Sequence, residues 1–174
     1  VSLAGEDEFA EFVAAALPRL LRFGHVLTGN PQSAEDLVQT ALGRSLRAWR
    51  LHRIDDPNAF VRKVMVNSFA TWYRRQGLRE IVTASPAGRA ITEDASARID
   101  DRDAVWRALL TLAPRQRAVI VLRYYEDLSE AEIAAVMGTS PGTVKSQSAR
   151  ALRHLAGILA VTHPAEQGNT GAKT

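Results

Sequence analysis

A chain of 174 residues that is 46% hydrophobic and 24% charged can bury the core of one or two small domains, which argues against wholesale disorder. It contains no cysteine, so disulfides, thiolate metal sites, iron–sulfur clusters and cysteine nucleophiles are all excluded. The formal net charge is only +3, yet it is unevenly spread: residues 1–77 carry 10 Lys/Arg against 8 Asp/Glu, residues 78–104 carry 4 against 6, and residues 105–160 carry 7 against 4.

The longest apolar runs, residues 12–17 and 118–122, fall far short of the roughly 20 residues that cross a bilayer. The acidic start lacks the basic and apolar regions of a secretory signal, so a cytoplasmic protein with no membrane insertion is expected.

No stretch alternates apolar and polar residues between hairpin turns, whereas helix start and stop signals recur throughout, and an all-α fold is predicted. A first helix is expected from about Asp7 to Leu27, disturbed at Pro18, and closed by Thr28-Gly29-Asn30-Pro31. A second is expected from Ser33 as N-cap to about Leu51, with Glu35 and Asp36 in its first turn. Val38, Leu42, Leu46 and Trp49 form its apolar stripe; Asp36, Thr40, Gly43 and Arg47 lie opposite, with Gln39 at the flank. Asp56 as N-cap and Pro57 at the first position open a third helix that reaches about Gln76.

Residues 78–104 are rich in Ala, Ser, Gly and acids around Pro86-Ala87-Gly88, which predicts a flexible linker between two domains, 1–77 and 105–160. Short helices are expected at 104–112 and 114–125. Ser129 and Glu132 then have capping-box spacing, Leu128 and Ile133 have that of a staple, and Gly138 stops the helix. Ser140 caps a last helix with Pro141 at its first position and Val144, Leu152, Leu155 and Leu159 on its buried face. Residues 161–174 are expected to be a flexible tail.

The segment 129–155 has helix-turn-helix spacing: Ala134 permits close approach of the helices and Val144 plugs the gap. At 100° per residue, Gly142, Ser146, Ala149, Arg150 and Arg153 turn away from Val144, with Thr143 and Lys145 at the edges. Small residues there allow close approach to base edges, while Lys145, Arg150 and Arg153 can reach bases or phosphates. Any one of these cations alone could equally be a solvated surface charge; the shared face favours DNA binding.

In the third helix Val61, Met65, Phe69 and Trp72 fall on the core side and Lys63, Asn67, Ala70 and Arg74 on the other. Basic residues beside aromatic Tyr73 suit single-stranded DNA, since rings stack on bases while cations follow phosphates; Phe69 and Trp72 are assigned to the core.

Three segments carry a family resemblance: AEDLVQTALGRSLRAW at 34–49, VMVNSFATWYRRQ at 64–76, and LAPRQRAVIVLRYYEDLSEAEIAAVMGTSPGTVKSQSARALRHL at 112–155. Over roughly 150 residues the chain resembles an extracytoplasmic-function sigma factor of bacterial RNA polymerase. The resemblance implies sigma domain 2, a three-helix bundle, at 1–77 and sigma domain 4, with the helix-turn-helix, at 105–160. It implies core RNA polymerase and promoter DNA as partners, with room for an anti-sigma factor that no residue here identifies.

By the same likeness Asp36, Gln39 and Thr40 fall where the family docks on polymerase, and the loop from His52 to Asp56 falls where a flipped base is held. Asn67 matches the asparagine that reads and opens the minus-10 element; Lys145, Ser146 and Arg150 match minus-35 contacts. With Lys63, Tyr73 and Arg74 added to the minus-10 group, and Thr143 and Arg153 to the minus-35 group, the candidate set is complete. Thr40, Gln147 and Ser148 depart from the acidic, basic and apolar residues that many members carry, and the Lys-Ser-Gln variant is similar to a branch common in actinobacteria.

Two rival functions are weaker. His52 near Asp55 and Asp56 could be imagined as a metal site, but polar residues at a helix start more often serve as caps, and no G-x-S-x-G, phosphate-cradling loop or H-E-x-x-H is present. No cofactor and no catalytic residue is expected. A free-standing helix-turn-helix regulator would need an inducer pocket or a dimer interface in the N-terminal half, where this chain offers a polar face and a basic, aromatic helix.

Overall fold

The computed structural model describes residues 3–51, 54–83 and 101–162, with side chains over 7–51, 54–73 and 104–160. These residues form seven helices and no strand: α1 (Leu3–Thr28), α2 (Pro31–Leu51), α3 (Pro57–Thr83), α4 (Asp101–Thr111), α5 (Pro114–Tyr124), α6 (Glu130–Met137) and α7 (Pro141–Thr162).

Helix α1 continues through Pro18. The proline cannot serve the carbonyl of Ala14, but both residues are exposed, so water can satisfy that oxygen. The helix closes where Gly29, at φ +78°, donates its N–H to His25 O at 2.8 Å.

The start of α2 differs from expectation. Asn30, not Ser33, is the cap: its Oδ1 accepts the Ser33 N–H at 3.0 Å, its carbonyl accepts the Ala34 N–H at 2.9 Å, and Pro31 takes the first helical position. Asn-Pro is the stronger start because it satisfies an orphan donor and presets φ in consecutive residues. Glu35 and Asp36 therefore sit beyond the first turn.

The buried face of α2 is also rotated, to Ala34, Leu37, Val38, Ala41 and Ser45, leaving Leu42, Leu46 and Trp49 half-buried. Small residues let α1 approach: a Cβ on Gly24 would lie 3.3 Å from Ala34. Trp49 instead packs on the start of α1, stacked on Phe12 at 5.8 Å with Phe9 edge-on at 5.2 Å.

Helix α3 begins as predicted, with Asp56 Oδ1 accepting the Ala59 N–H at 2.9 Å and Pro57 in first position, but it runs to Thr83. Its last residues, and the start of α4 at Asp101, occupy ground assigned above to the linker; residues 84–100 lie outside the described residues. Val61, Met65, Val66 and Phe69 are buried, whereas Trp72 is 41% exposed and does not belong to the core. Arg44 Nη1 donates to Ser68 Oγ at 2.9 Å and joins α2 to α3.

Helices α4 to α7 make a second bundle, with α7 packed on the other three. Its buried face is Val144, Ser148, Ala151 and Leu155; Leu152 is 41% exposed and Leu159 half-buried. As in α2, small side chains set the face because they admit the neighbouring helix.

The two bundles are packed together rather than held apart. Helices α5 and α6 lie on α3, α5 touches α1, and one apolar cluster runs from Phe23, Met65 and Phe69 into Val119, Leu122, Ile133 and Val144.

Candidate nucleic-acid interface and polymerase-docking face

The helix-turn-helix is built by local chemistry. Ser129 Oγ accepts the Glu132 N–H at 3.3 Å while Glu132 Oε2 accepts the Ser129 N–H at 2.8 Å and its hydroxyl at 2.6 Å, so the predicted capping box is complete. Leu128 packs on the cluster that holds Ile133. Gly138 ends α6 at φ 61°, a left-handed conformation that glycine adopts without steric cost. Ser140 Oγ accepts the Thr143 N–H at 3.2 Å and opens α7.

The hydroxyl and N–H of Ser129, with the charge of Arg62 adding, hold the Glu132 carboxyl below the usual glutamate range. A carboxylate depressed in the folded state stabilises fully above its unfolded pKa of about 4.3, and that contribution is lost as pH falls through the lower folded value. A carboxyl-carbon NMR titration should place Glu132 below free glutamate, and a midpoint at or above the free value would contradict the cap's role.

On α7, Gly142, Lys145, Ser146, Ala149, Arg150 and Arg153 are exposed and Thr143 is half-buried, so the expected reading face is brought together. Val144 is fully buried behind it. Ser146 Oγ donates to Thr143 O at 2.9 Å, and Thr143 and Ser140 share a hydroxyl contact at 2.9 Å. Gln147 is half-buried and Ser148 buried, on the same side of α7 as Val144 and Ala151.

On α3, Lys63 and Asn67 are exposed on one face, two residues removed from the buried Met65, while Asp56 caps the helix start. Lys63, Phe60, Ile54, Asp55 and Asp56 line an open cavity of about 500 Å³ whose far wall is Ala135 and Val136 of α6. Tyr73 is half-buried, edge-on to Phe69 at 4.8 Å and Trp72 at 5.1 Å. His52 and the side chain of Arg74 lie outside the described residues.

The α2 face carries Asp36, Gln39, Thr40, Gly43 and Arg47, all exposed, on the side opposite the packing against α1 and α3. Among the described residues no cluster of His, Asp and Glu could hold a metal, and no helix is long and apolar enough to cross a membrane.

Sequence reasoning missed Arg117, Glu126 and Arg62. Arg117 is only 2% exposed; its Nη1 donates to Leu27 O at 2.9 Å in the first bundle, and its Nη2 to Leu110 O at 2.6 Å and Leu112 O at 3.3 Å in the second. Its guanidinium also lies 5.9 Å from the Phe69 ring and 5.8 Å from the Tyr73 ring. The available signal was its place one turn before Val121, on the apolar side of α5.

Comparison with known proteins agrees with this arrangement. Residues 12–79 match the family model "Sigma-70 region 2" and residues 102–155 match "Sigma-70, region 4". The chain belongs to the sigma-70 family, in its extracytoplasmic-function group. It is 40% identical over 151 residues to the RNA polymerase sigma-E factor of Streptomyces coelicolor, covering 85% of this chain and 84% of that protein. Against the ECF RNA polymerase sigma factor SigM of Mycobacterium tuberculosis it is 30% identical over 142 residues, covering 81% and 71%. Among solved structures, the sigma factor RpoE from Bartonella quintana, co-crystallised with the anti-sigma factor NepR, matches with a TM-score of 0.70 at 27% identity over 88% of this chain and 98% of that one. CnrH, solved with the cytosolic domain of CnrY, shares the fold at a TM-score of 0.59 and 22% identity, over 90% of each chain.

Proposed function

We propose that this sigma factor binds core RNA polymerase through Asp36, Gln39 and Thr40 on α2, and reads a promoter at two places. The start of α7, with Thr143, Lys145, Ser146, Arg150 and Arg153, takes the minus-35 element in the major groove. The helix α3, with Lys63, Asn67, Tyr73 and Arg74, takes the minus-10 element, and the 52–56 loop beside it receives an unstacked base. The observation that carries this reading is the exposed cation-bearing face of α7 behind a fully capped helix-turn-helix, on a chain that also presents a polar α2 face.

The chain supplies binding and strand capture, and the polymerase supplies the catalysis, so we assign it no catalytic residue and no cofactor. Its place of work is the cytoplasm, with its polymerase. An anti-sigma factor is a fitting third partner, as RpoE has NepR.

Run-off transcription on a genomic promoter library, with purified core polymerase and this protein present or omitted, tests the reading. Specific transcripts that depend on the protein support it; none would overturn it. Within that assay Asn67→Ala should slow open-complex formation more than initial binding, because capturing a flipped base matters only once the strands part. Equal losses in permanganate reactivity and in closed-complex affinity would remove Asn67 from strand opening.

A further inference from the structure

His154 is a histidine of α7 that neither promoter-reading group uses. It is exposed one turn beyond Arg150, about 6 Å further along the helix, where α7 meets α4. Its Nε2 lies 3.0 Å from Thr111 Oγ1, and that hydroxyl also lies 2.7 Å from Ala108 O. A carbonyl oxygen only accepts, so the single hydroxyl proton goes to Ala108 O and Thr111 must accept from the ring. His154 is therefore held as the Nε2–H form. Its Nδ1, which no described residue engages, carries the lone pair.

The surroundings of that ring are cationic. Helix α7 contains no Asp or Glu from Pro141 to Thr162. Its charged neighbours there are Arg150 and Arg153, and both are exposed. On α4, Arg107 precedes Thr111 by one turn and shares its side of the helix. On α5, Arg115 is exposed near the start, while Arg117 is buried with its Nη atoms on backbone carbonyls. The acids of α6 are committed elsewhere, Glu130 to Arg123 and Glu132 to Ser129. Among the described side chains of these helices no carboxylate stands ready to offset a proton on this ring, and an anion from outside is the partner that fits.

With the start of α7 in a major groove, the flanks of the helix face the sugar–phosphate strands that border the groove. Thr143, Arg150 and His154 share one flank by their spacing along α7. We propose that His154 is a proton-linked contact to one DNA backbone phosphate. The Nε2–H stays on Thr111; Nδ1 takes a proton from solvent, and the resulting Nδ1–H donates to a phosphate oxygen. The contact deepens the proposed function, on which it rests for what α7 docks against. Because it forms only with the proton bound, affinity for promoter DNA rises as pH falls through the range where imidazoles titrate. A phosphate carries no sequence information, so the gain is the same on matched and altered minus-35 sequences.

Holoenzyme assembled from core polymerase and the full chain, measured on a promoter recovered by run-off transcription at about pH 6 and about pH 8, tests this. The other histidines are common to every protein compared, so differences between variants isolate His154. His154→Gln, neutral throughout, should bind about fivefold more weakly than the unaltered protein at the lower pH and equally at the higher. His154→Arg, cationic throughout, should hold the tighter affinity at both. The slope of log affinity against log salt should be steeper for the unaltered protein than for His154→Gln by about 0.9, at the lower pH only. Thr111→Val keeps the imidazole and removes its anchor, and should lose part of the low-pH gain with no change at the higher pH.

Long-range proton–nitrogen correlation spectra of the free chain at the higher pH should show the Nε2–H form of His154. An Nδ1–H ring there overturns the proposal. So does the same pH and salt dependence in the unaltered protein and His154→Gln, or a loss confined to one minus-35 sequence; each of these leaves promoter reading standing. A holoenzyme that binds no promoter at either pH overturns the promoter reading, and the phosphate contact with it.

Discussion

Replacing Arg117 by alanine is expected to lower the stability of the free protein by about 3 kcal/mol, since buried carbonyls that lose a charged donor each go unsatisfied at a cost of roughly 1–3 kcal/mol. Three acceptors are affected: Leu27 O at the end of α1, and Leu110 O and Leu112 O at the junction of α4 and α5. The guanidinium also covers Phe69 and Tyr73, so truncation leaves a void beside two rings. Arg117→Met restores most of the volume and none of the hydrogen bonds, and should recover only part of the loss. Chemical denaturation of the three proteins measures this. A loss for Arg117→Ala below about 1 kcal/mol would mean that the carbonyls find other donors.

The second large effect concerns DNA. Arg150→Ala should weaken binding at the upstream element by about 1–3 kcal/mol if the guanidinium reads a base edge, and by less, with no change in sequence preference, if it meets only phosphate. Arg150 is exposed on the side of α7 opposite buried Val144 and Ala151, so its removal should not disturb the bundle. Competition between matched and altered minus-35 sequences, measured with holoenzyme, distinguishes the two cases. An unchanged preference takes Arg150 out of the reading set.

Most of the helix boundaries were legible because they are set within four residues of chain. The Ser129–Glu132 capping box, Asp56-Pro57, Ser140-Pro141 and the stop at Gly138 depend on groups that any neighbouring structure would leave in place. Asn30 outcompeted Ser33 by the same local logic, read one turn too late.

Faces were harder. In α2 and α7 large apolar side chains were expected inside, but Ala34, Ala41 and Ser45, and Ser148 and Ala151, are the residues that let helices touch, while Leu152 and much of Trp49 remain outside. Apolar pattern identifies a helix better than it identifies the side of closest approach. The exposed cation-bearing side of α7 and the polar side of α2 were nonetheless recognisable as solvent-facing, because a run of exposed residues tolerates an error of one position in rotation.

The contact between the bundles was not legible. Arg117 meets Leu27 across 90 residues and Arg19 meets Glu126 across 107, and neither pair has a local signature. Charge composition suggested two basic halves separated by a linker. The structure pairs two cations of one half with an acid of the other.

The continuous apolar cluster bears on how the protein could be dissected. Phe69 and Met65 belong to the same buried group as Val136 and Ile133, so cutting the chain between α3 and α4 would give each fragment a greasy scar where its counterpart had been. Such fragments are prone to self-association, and their solubility would report on the missing neighbour as much as on their own folding.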